Sequence, residues 1–332
     1  MKRAHLLWAA IFKGELVEPI QRIVIMGAGA MGVAYGAMFS DAPGFSVSFA
    51  AGGKRYEKLK DTRIMVNGRA YKIPAVHPDR ITDAPDLILV ALKHHHLDAA
   101  LEDIKALTRD KTIILSVMNG LESEKTIGGV CGWEKVVLSI AVGIDAVHEN
   151  NLFTYRSPGK IIFADNPDLP GSSDHQRLKR ISEALDRASI PNEISPDIAR
   201  TLWWKFMINV GINQASAVLK APYGVFQTSS KARSLMTMLM EEVITLARAR
   251  KIDLTPKDLE DWIKVLDTLS PTGKTSMLQD MEAGRKTEVE IFAGSVTAMG
   301  EESKIPTPAN KIFLNLIQVM EEKRREIGRH DT

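Results

Sequence analysis

Lys205, Asn209 and Asn213 stand four residues apart in WWKFMINVGINQ, residues 203 to 214, a stretch otherwise built mainly of aromatic and aliphatic side chains. At that spacing a helix puts all three on one face, as a polar stripe about 12 Å long. A solvated face would carry more charge, and asparagine is a mediocre helix former for a merely exposed surface. The pattern therefore predicts a lined cleft, the alternative being an ordinary amphipathic surface. An ammonium in such a cleft can stabilise negative charge developing on a carbonyl oxygen and supply the proton. Amides can hold a hydroxyl or carboxylate without adding net charge.

A second polar cluster lies in SPTGKTSMLQDMEAGRKTEVE, residues 270 to 290. Ser276, Gln279, Asp280, Arg285, Thr287 and Glu288 flank an expected helix interruption at Gly284. Two capped amphipathic helices would account for the same residues.

A third constellation, GAGAMG, comprises Gly27, Ala28, Gly29, Ala30, Met31 and Gly32, directly after the β-branched run RIVIM and at the start of a helical pattern. This is dinucleotide-binding spacing. Gly27 permits the tight turn, Gly29 lets the backbone approach a pyrophosphate at the helix N-terminus, and Gly32 allows close helix–strand packing. After the second expected strand the chain reads FAAGGKRYEK, with no carboxylate before Glu57 to take ribose hydroxyls. Lys54 and Arg55 stand there instead and suit a 2′-phosphate, so NADPH/NADP is the cofactor expected, unless both are simply solvated loop cations. Lys93 and Asn119 close two further strands at their carboxyl ends, where ligands of such sheets bind, and are expected to face the ribose and nicotinamide. An exposed cation and a simple turn are the alternative. The run His94-His95-His96 carries no metal expectation, because three consecutive side chains converge poorly on one ion and no ligand set accompanies them. Beside a nicotinamide, Lys205 acquires a chemical role, since the oxygen needs charge stabilisation and a proton as hydride reaches a ketone carbon.

The elements that must position these groups follow from periodicity. Short apolar runs at 22–26, 45–51, 88–92, 112–117, 135–143 and 160–166 alternate with helical patterns such as LDAALEDIKAL. That alternation predicts an α/β fold with a mostly parallel, Rossmann-type sheet. The later runs are separated by turns, so the far edge is expected to be mixed or antiparallel. Beyond Pro196 the pattern is helical, over about 197–219 and 231–250. Thr255-Pro256-x-Asp258 and Thr307-Pro308 mark further helix starts. The expected organisation is an N-terminal extension (1–20), a nucleotide-binding domain (21–194) and an all-helical substrate domain (195–327).

Composition narrows the function classes. Hydrophobic residues make up 45% and charged residues 25%, and 43 basic residues against 41 acidic ones leave +2. No polyanion-binding surface follows from that balance, so nucleic acid is not an expected partner. The single cysteine, Cys131, excludes an intrachain disulfide and a cysteine-cluster metal site. The N-terminal MKRAHLLWAAIFKG loosely resembles a signal peptide but lacks a small-residue cleavage pattern. No apolar run reaches the ~18 residues of a membrane span. The expectation is a cytoplasmic protein with no membrane partner.

Taken together, GAGAMG, LVALK, SVMNG, WWKFMINVGIN and SMLQDMEAGRKTEVE, followed by Gly294, resemble the ketopantoate reductase (2-dehydropantoate 2-reductase) family over roughly residues 21 to 325. The resemblance implies a Rossmann domain and a helical domain with the active site in the cleft between them. It implies NADPH-dependent reduction of 2-dehydropantoate to (R)-pantoate, on the way to pantothenate and coenzyme A. By position, Lys205 would be the general acid, Asn209 and Asn213 would line the substrate site, and Ser276 and Glu288 would bind or orient the substrate. Lys93 and Asn119 would be cofactor-side contacts. One departure matters: where many members carry a substrate-binding asparagine in a Pro-Asn-Gly setting, this chain has APYG, with Tyr223. A phenol there changes pocket volume and hydrogen bonding, so another 2-oxo acid or ketone stays open as substrate. A homodimer is kept open as the assembly, and a non-catalytic nucleotide sensor is the alternative from another class.

Overall fold

The structure is a computed structural model that describes residues 18–149, 152–169 and 174–330. Most of the expected N-terminal extension, residues 1–17, lies outside the described residues.

In chain order the strands are β1 (Arg22–Met26), β2 (Ser46–Ala50), β3 (Ile64–Val66), β4 (Arg69–Tyr71), β5 (Ala75–Val76), β6 (Leu87–Val90), β7 (Ile113–Ser116), β8 (Val136–Ile144), β9 (Val147–Glu149), β10 (Leu152–Thr154), β11 (Pro158–Ala164) and β12 (Asn192–Ile194). Interspersed helices are α1 (Ala30–Asp41), α2 (Gly53–Lys60), α3 (Leu101–Leu107), α4 (Ser123–Cys131) and α5 (His175–Arg187). An eight-stranded sheet has the order β12-β11-β8-β7-β6-β1-β2-β5. From β8 through β5 its neighbours are parallel, while β11 runs antiparallel to β8, which is the mixed far edge that the sequence predicts.

Alternation along the central strands builds a three-layer core. Ile23, Ile25, Leu87 and Leu89 face α1 and α5, whereas Val24, Met26, Ile88 and Val90 face α3 and α4. Leu87, Ile88, Leu89 and Val90 are all wholly buried, as a parallel strand covered on both faces requires. All six expected strands are present. The sequence pattern misses β3, β4, β5, β9, β10 and β12, each of two or three residues and too short to show alternation. Four of them form a second sheet, β4-β3-β10-β9, joined by the long-range register Met65 to Leu152.

The chain after β12 is helical: α6 (Ile198–Ile208), a π-helical turn (Asn209–Asn213), α7 (Gln214–Leu219), α8 (Tyr223–Thr228), α9 (Ser230–Ala249), α10 (Pro256–Leu266), α11 (Ser276–Glu282), α12 (Ala293–Ser303) and α13 (Pro308–His330). The capping box at Thr255 and Asp258 forms as its sequence predicts. The expected single helix over 197–219 is continuous in path but interrupted by the π turn, a departure from regular α geometry that concentrates at functional sites. Residues four apart drift by about 40° in a regular α-helix, so Lys205 and Asn213 would diverge by about 80°. One wide turn takes up part of that drift. Gly211 lets α9 press directly on this turn, since a Cβ there would lie 2.4 Å from Met240 Cγ. Gln214, fully buried, donates to the Val210 carbonyl (2.7 Å) and to Asn310 Oδ1 (3.1 Å), fixing the end of the turn. Among the described residues no helix is long and apolar enough to cross a membrane.

Candidate active site

The nucleotide end is built from β1 and α1. Gly27 sits at φ +113°, and a Cβ on it would lie 2.5 Å from the Ala91 carbonyl oxygen. A Cβ on Gly32 would lie 1.9 Å from the Gly27 carbonyl oxygen. At Gly29, the N-cap of α1, a Cβ would meet nothing within 4 Å. Two glycines are thus demanded by the protein's own packing, and the third leaves an open surface at the helix N-terminus. That is the shape a pyrophosphate fills, so the residues fit a dinucleotide. Ala28 and Met31 pack partly against the sheet core, and Ala30 opens α1.

Lys54 and Arg55 are exposed in the first turn of α2, just after the carboxyl end of β2. A feature invisible in the sequence stands near them: Asp103 of α3 reaches across, its Oδ2 2.9 Å from where a Cβ of Gly52 would be. A carboxylate favours ribose hydroxyls and the two cations favour a phosphate. The double variant Lys54→Ala/Arg55→Ala is expected to weaken NADPH binding at least about tenfold while changing NADH binding little, because each charge-assisted bond to phosphate contributes ~1.5–3 kcal/mol. Fluorescence titration with both cofactors checks this, and an equal loss for both would remove the 2′-phosphate role.

At the chemical end, side chains from both halves of the chain join in one hydrogen-bonded row. Ser276 Oγ donates to Asn213 Oδ1 (3.2 Å), Asn213 Nδ2 to Asn209 Oδ1 (3.1 Å), Asn209 Nδ2 to Asn119 Oδ1 (3.4 Å), and Asn119 Nδ2 to Glu288 Oε2 (3.1 Å). The structure therefore brings together Asn119, Asn209, Asn213, Ser276 and Glu288. Each amide donates to the next residue and accepts from the previous one, a cooperative arrangement. Glu288, 5% exposed, also accepts from the His94 backbone N–H (3.3 Å) and from Lys93 Nζ (3.5 Å). Lys93 pairs more closely with Asp280 (2.7 Å), which Arg285 Nε holds from the other side (2.9 Å). Burial works against the Lys93 charge, but Glu288 and Asp280 outweigh it and hold its pKa above the ordinary lysine value. Lys93 thus ties the strand end to the facing segment. The neighbouring histidines form a short 3₁₀ turn, with the His95 and His96 rings 4.1 Å apart.

A cavity of about 190 Å³ opens beside this tie, lined by His94, His95, Lys286, Thr287, Glu288 and Glu290. A larger one, about 380 Å³, lies around Pro222 and Lys231 and includes none of the polar row, so size alone does not mark the site.

Lys205 lies on α6, one helical turn before Asn209. Burial lowers its pKa to about 8, although Glu124 and Glu288 act to raise it. No carboxylate among the described residues comes within ion-pair distance of its Nζ, so the ammonium is electrostatically surrounded but uncommitted. Tyr223 stands apart from the polar row. Its ring packs over Gly273, and its backbone N–H donates to the Gly273 carbonyl (3.0 Å), three residues before Ser276.

Glu124 is the group that sequence reasoning missed. It sits in the first turn of α4, 5% exposed, among Ser116, Ser123 and Ser139. A faint signal exists: Ser116 and Ser139 interrupt strands that are otherwise apolar.

Comparison with known proteins agrees with this architecture. Residues 23–168 match the family model described as Ketopantoate reductase PanE/ApbA, and residues 197–321 match that described as Ketopantoate reductase PanE/ApbA C terminal. The 2-dehydropantoate 2-reductase of Aquifex aeolicus (strain VF5) is 25% identical over 312 residues, spanning 91% of this chain and 97% of its own. Among solved structures, D-mandelate dehydrogenase with NADH and anilino(oxo)acetate superposes with a TM-score of 0.82 at 22% identity, covering 92% of this chain and 99% of that one. The PanE/ApbA family ketopantoate reductase from Ralstonia eutropha JMP134 superposes with a TM-score of 0.77 at 23% identity, covering 92% and 100%.

Proposed function

Because the chain belongs to the ketopantoate reductase family of oxidoreductases, we propose that it reduces a small 2-oxo acid with NADPH, and that the substrate is 2-dehydropantoate, converted to (R)-pantoate. The observation that carries this reading is the uncommitted Lys205 ammonium at the head of the Asn209, Asn213 and Ser276 row. We take residues 21–194 as the nucleotide-binding domain and 195–327 as the substrate domain, a division supported by separate apolar cores on either side of it.

In this reading Gly27, Gly29 and Gly32 hold the pyrophosphate, with Ala28, Ala30 and Met31 shaping the turn, and Lys54 and Arg55 meet the 2′-phosphate. Lys93 and Asn119 bound the cofactor side of the cleft. The bound nicotinamide supplies hydride to the carbonyl carbon. Lys205 stabilises the charge that develops on the carbonyl oxygen and gives it a proton through Nζ. Asn209, Asn213 and Ser276 can orient the substrate by exchanging their mutual hydrogen bonds for bonds to its carboxylate and hydroxyl. Glu288 fixes the orientation of Asn119 and closes the facing segment over the site.

A second reading, reduction of another 2-oxo acid, is favoured by Tyr223, whose ring packs over Gly273, three residues before Ser276. The deciding experiment follows NADPH absorbance loss with 2-dehydropantoate and a panel of branched and aromatic 2-oxo acids. 2-Dehydropantoate is expected to show the highest kcat/KM, and Tyr223→Asn to improve it further if the phenol restricts the pocket. Absence of turnover with every 2-oxo acid would overturn the enzymatic reading. The pH profile is a second check. A lysine proton donor works only while protonated, so activity should hold below about pH 8 and fall tenfold per unit above it. A flat profile to pH 10 would count against Lys205 as the donor.

A further inference from the structure

We infer that Asp103 is the residue that reads the adenosine ribose. Its carboxylate, carried by α3, stands in for the acidic side chain that the end of β2 lacks, and opposes Lys54 and Arg55 in the choice between NADH and NADPH. The inference rests on reading the glycine turn as a dinucleotide site.

In a dinucleotide-binding sheet the ribose hydroxyls are met by an Asp or Glu about 20 residues beyond the glycines, at the end of the second strand. Here that position falls on Gly52, just past β2 and the N-cap of α2. Its backbone does not demand a glycine: φ is −96° and ψ 165°, extended values open to any residue. What excludes a side chain is Asp103. A Cβ on Gly52 would lie 2.9 Å from Asp103 Oδ2, 3.2 Å from Oδ1 and 3.4 Å from Cγ. Both oxygens are nearer than the carbon that bears them, so the carboxylate approaches Gly52 oxygens first. The glycine serves this close approach, and the charge stands beside the place where an acidic residue on the strand would begin.

Packing fixes Asp103 in that place. Its neighbours Ala100, Ile104 and Leu107 are buried in one apolar cluster with Ala50 of β2 and with Val24 and Met26 of β1. Asp103 itself is half-buried, and among the described residues its side chain makes no hydrogen bond or ion pair. The exposed side chains of Lys54 and Arg55, in the first turn of α2, make none either. Charges of both signs therefore flank the end of β2 without being committed to each other. A ribose diol donates to a carboxylate, whereas a 2′-phosphate is repelled by it and attracted by two cations. Asp103 favours NADH, Lys54 and Arg55 favour NADPH, and NADH stays usable beside NADPH in a ratio set by this opposition.

The test is binding without turnover, by fluorescence titration with NADH and with NADPH, which differ only in the 2′-phosphate. In Asp103→Asn, NADH is expected to bind about tenfold more weakly and NADPH about threefold more tightly, a shift of about thirtyfold in their ratio. The melting temperature should stay within about 3 °C, because the carboxylate has no partner to lose. A carboxylate that served only the N-terminus of α2 would change both cofactors alike. Gly52→Asp combined with Asp103→Ala returns the charge from the strand side, and should bring NADH affinity back to within about threefold of the unmodified protein. If Asp103→Asn fails to fold, Gly52→Ala is the second variant, its methyl pushing the carboxylate aside and weakening NADH by a smaller factor. An unchanged NADH-to-NADPH ratio in folded Asp103→Asn or Gly52→Ala would overturn the inference and leave the dinucleotide site standing. Binding of neither cofactor to the unmodified protein would overturn the dinucleotide reading, and the inference with it.

Discussion

Replacing Lys205 by alanine is expected to lower kcat at least about 10³-fold, a loss of ~4 kcal/mol of transition-state stabilisation. Two contributions vanish together: the proton, and the positive charge facing the developing alkoxide in a cleft where burial strengthens electrostatics. NADPH affinity should stay within about threefold, because the glycine turn and α2 belong to a different part of the fold. Stopped-flow or steady-state kinetics with saturating 2-oxo acid, beside a fluorescence titration of NADPH, separates the two quantities. Lys205→Arg is the informative companion. Its guanidinium keeps the charge but is a poor proton donor near neutral pH, so it should recover only part of the rate. Turnover within tenfold of the unmodified protein in the alanine variant would end the mechanism proposed for this lysine.

The second large effect concerns the glycine turn, where two neighbouring substitutions should fail differently. In Gly32→Ala the new methyl would overlap the Gly27 carbonyl oxygen at 1.9 Å. Alanine gains up to ~1 kcal/mol of helix propensity over glycine, but backbone overlap of that size can be relieved only by moving the turn itself. The melting temperature should drop by roughly 5 °C or more and NADPH binding should weaken at least about 100-fold. Gly29→Ala has free space around it and a φ of −82°, which alanine tolerates. Its melting temperature should stay within about 2 °C, yet NADPH binding should still suffer, because the methyl occupies the surface that the phosphates approach. Thermal unfolding and cofactor titration on the two variants check the contrast. A thermally unimpaired Gly32→Ala protein would contradict the close packing of α1 on β1.

Much of this architecture is legible in the sequence, for identifiable reasons. The central strands read as continuous apolar runs because the sheet is covered on both faces, and the glycine turn reads by spacing because steric overlap permits nothing else at two of its positions. Asn209 and Asn213 are legible as residue types at helical spacing and Ser276 as a member of a second polar cluster, although the head-to-tail hydrogen bonding that joins them, across 63 residues, is not. Asp280 is visible as part of a polar cluster, but its pairing with Lys93 joins residues 187 apart and has no local signature. Glu124 is hidden for the opposite reason. In LESEKTI it looks like any acidic residue in a solvated first turn, and only the packing of β8 fifteen residues later buries it. The small second sheet escapes because three-residue strands carry no period. The π turn escapes because NVGIN is compatible with an ordinary helix until α9 is pressed against Gly211.

That π turn also governs where the chain can change length. A helix that accommodates a wide turn carries, in effect, one residue more than its path needs. Removing Val210 or Ile212 would let the backbone relax into regular α geometry. Lys205 and the asparagine now at 213 would then be seven residues apart, about 700° of rotation and within about 20° of two full circuits. The lysine would keep an amide on its own face, and α7 would stay in phase with α6. The same deletion made inside α6 or α7 would have no slack to draw on, and would swing everything beyond it by about 100°. The wide turn is therefore a place where the helix carrying Lys205 stores spare length, beside the residues whose alignment a length change elsewhere would destroy.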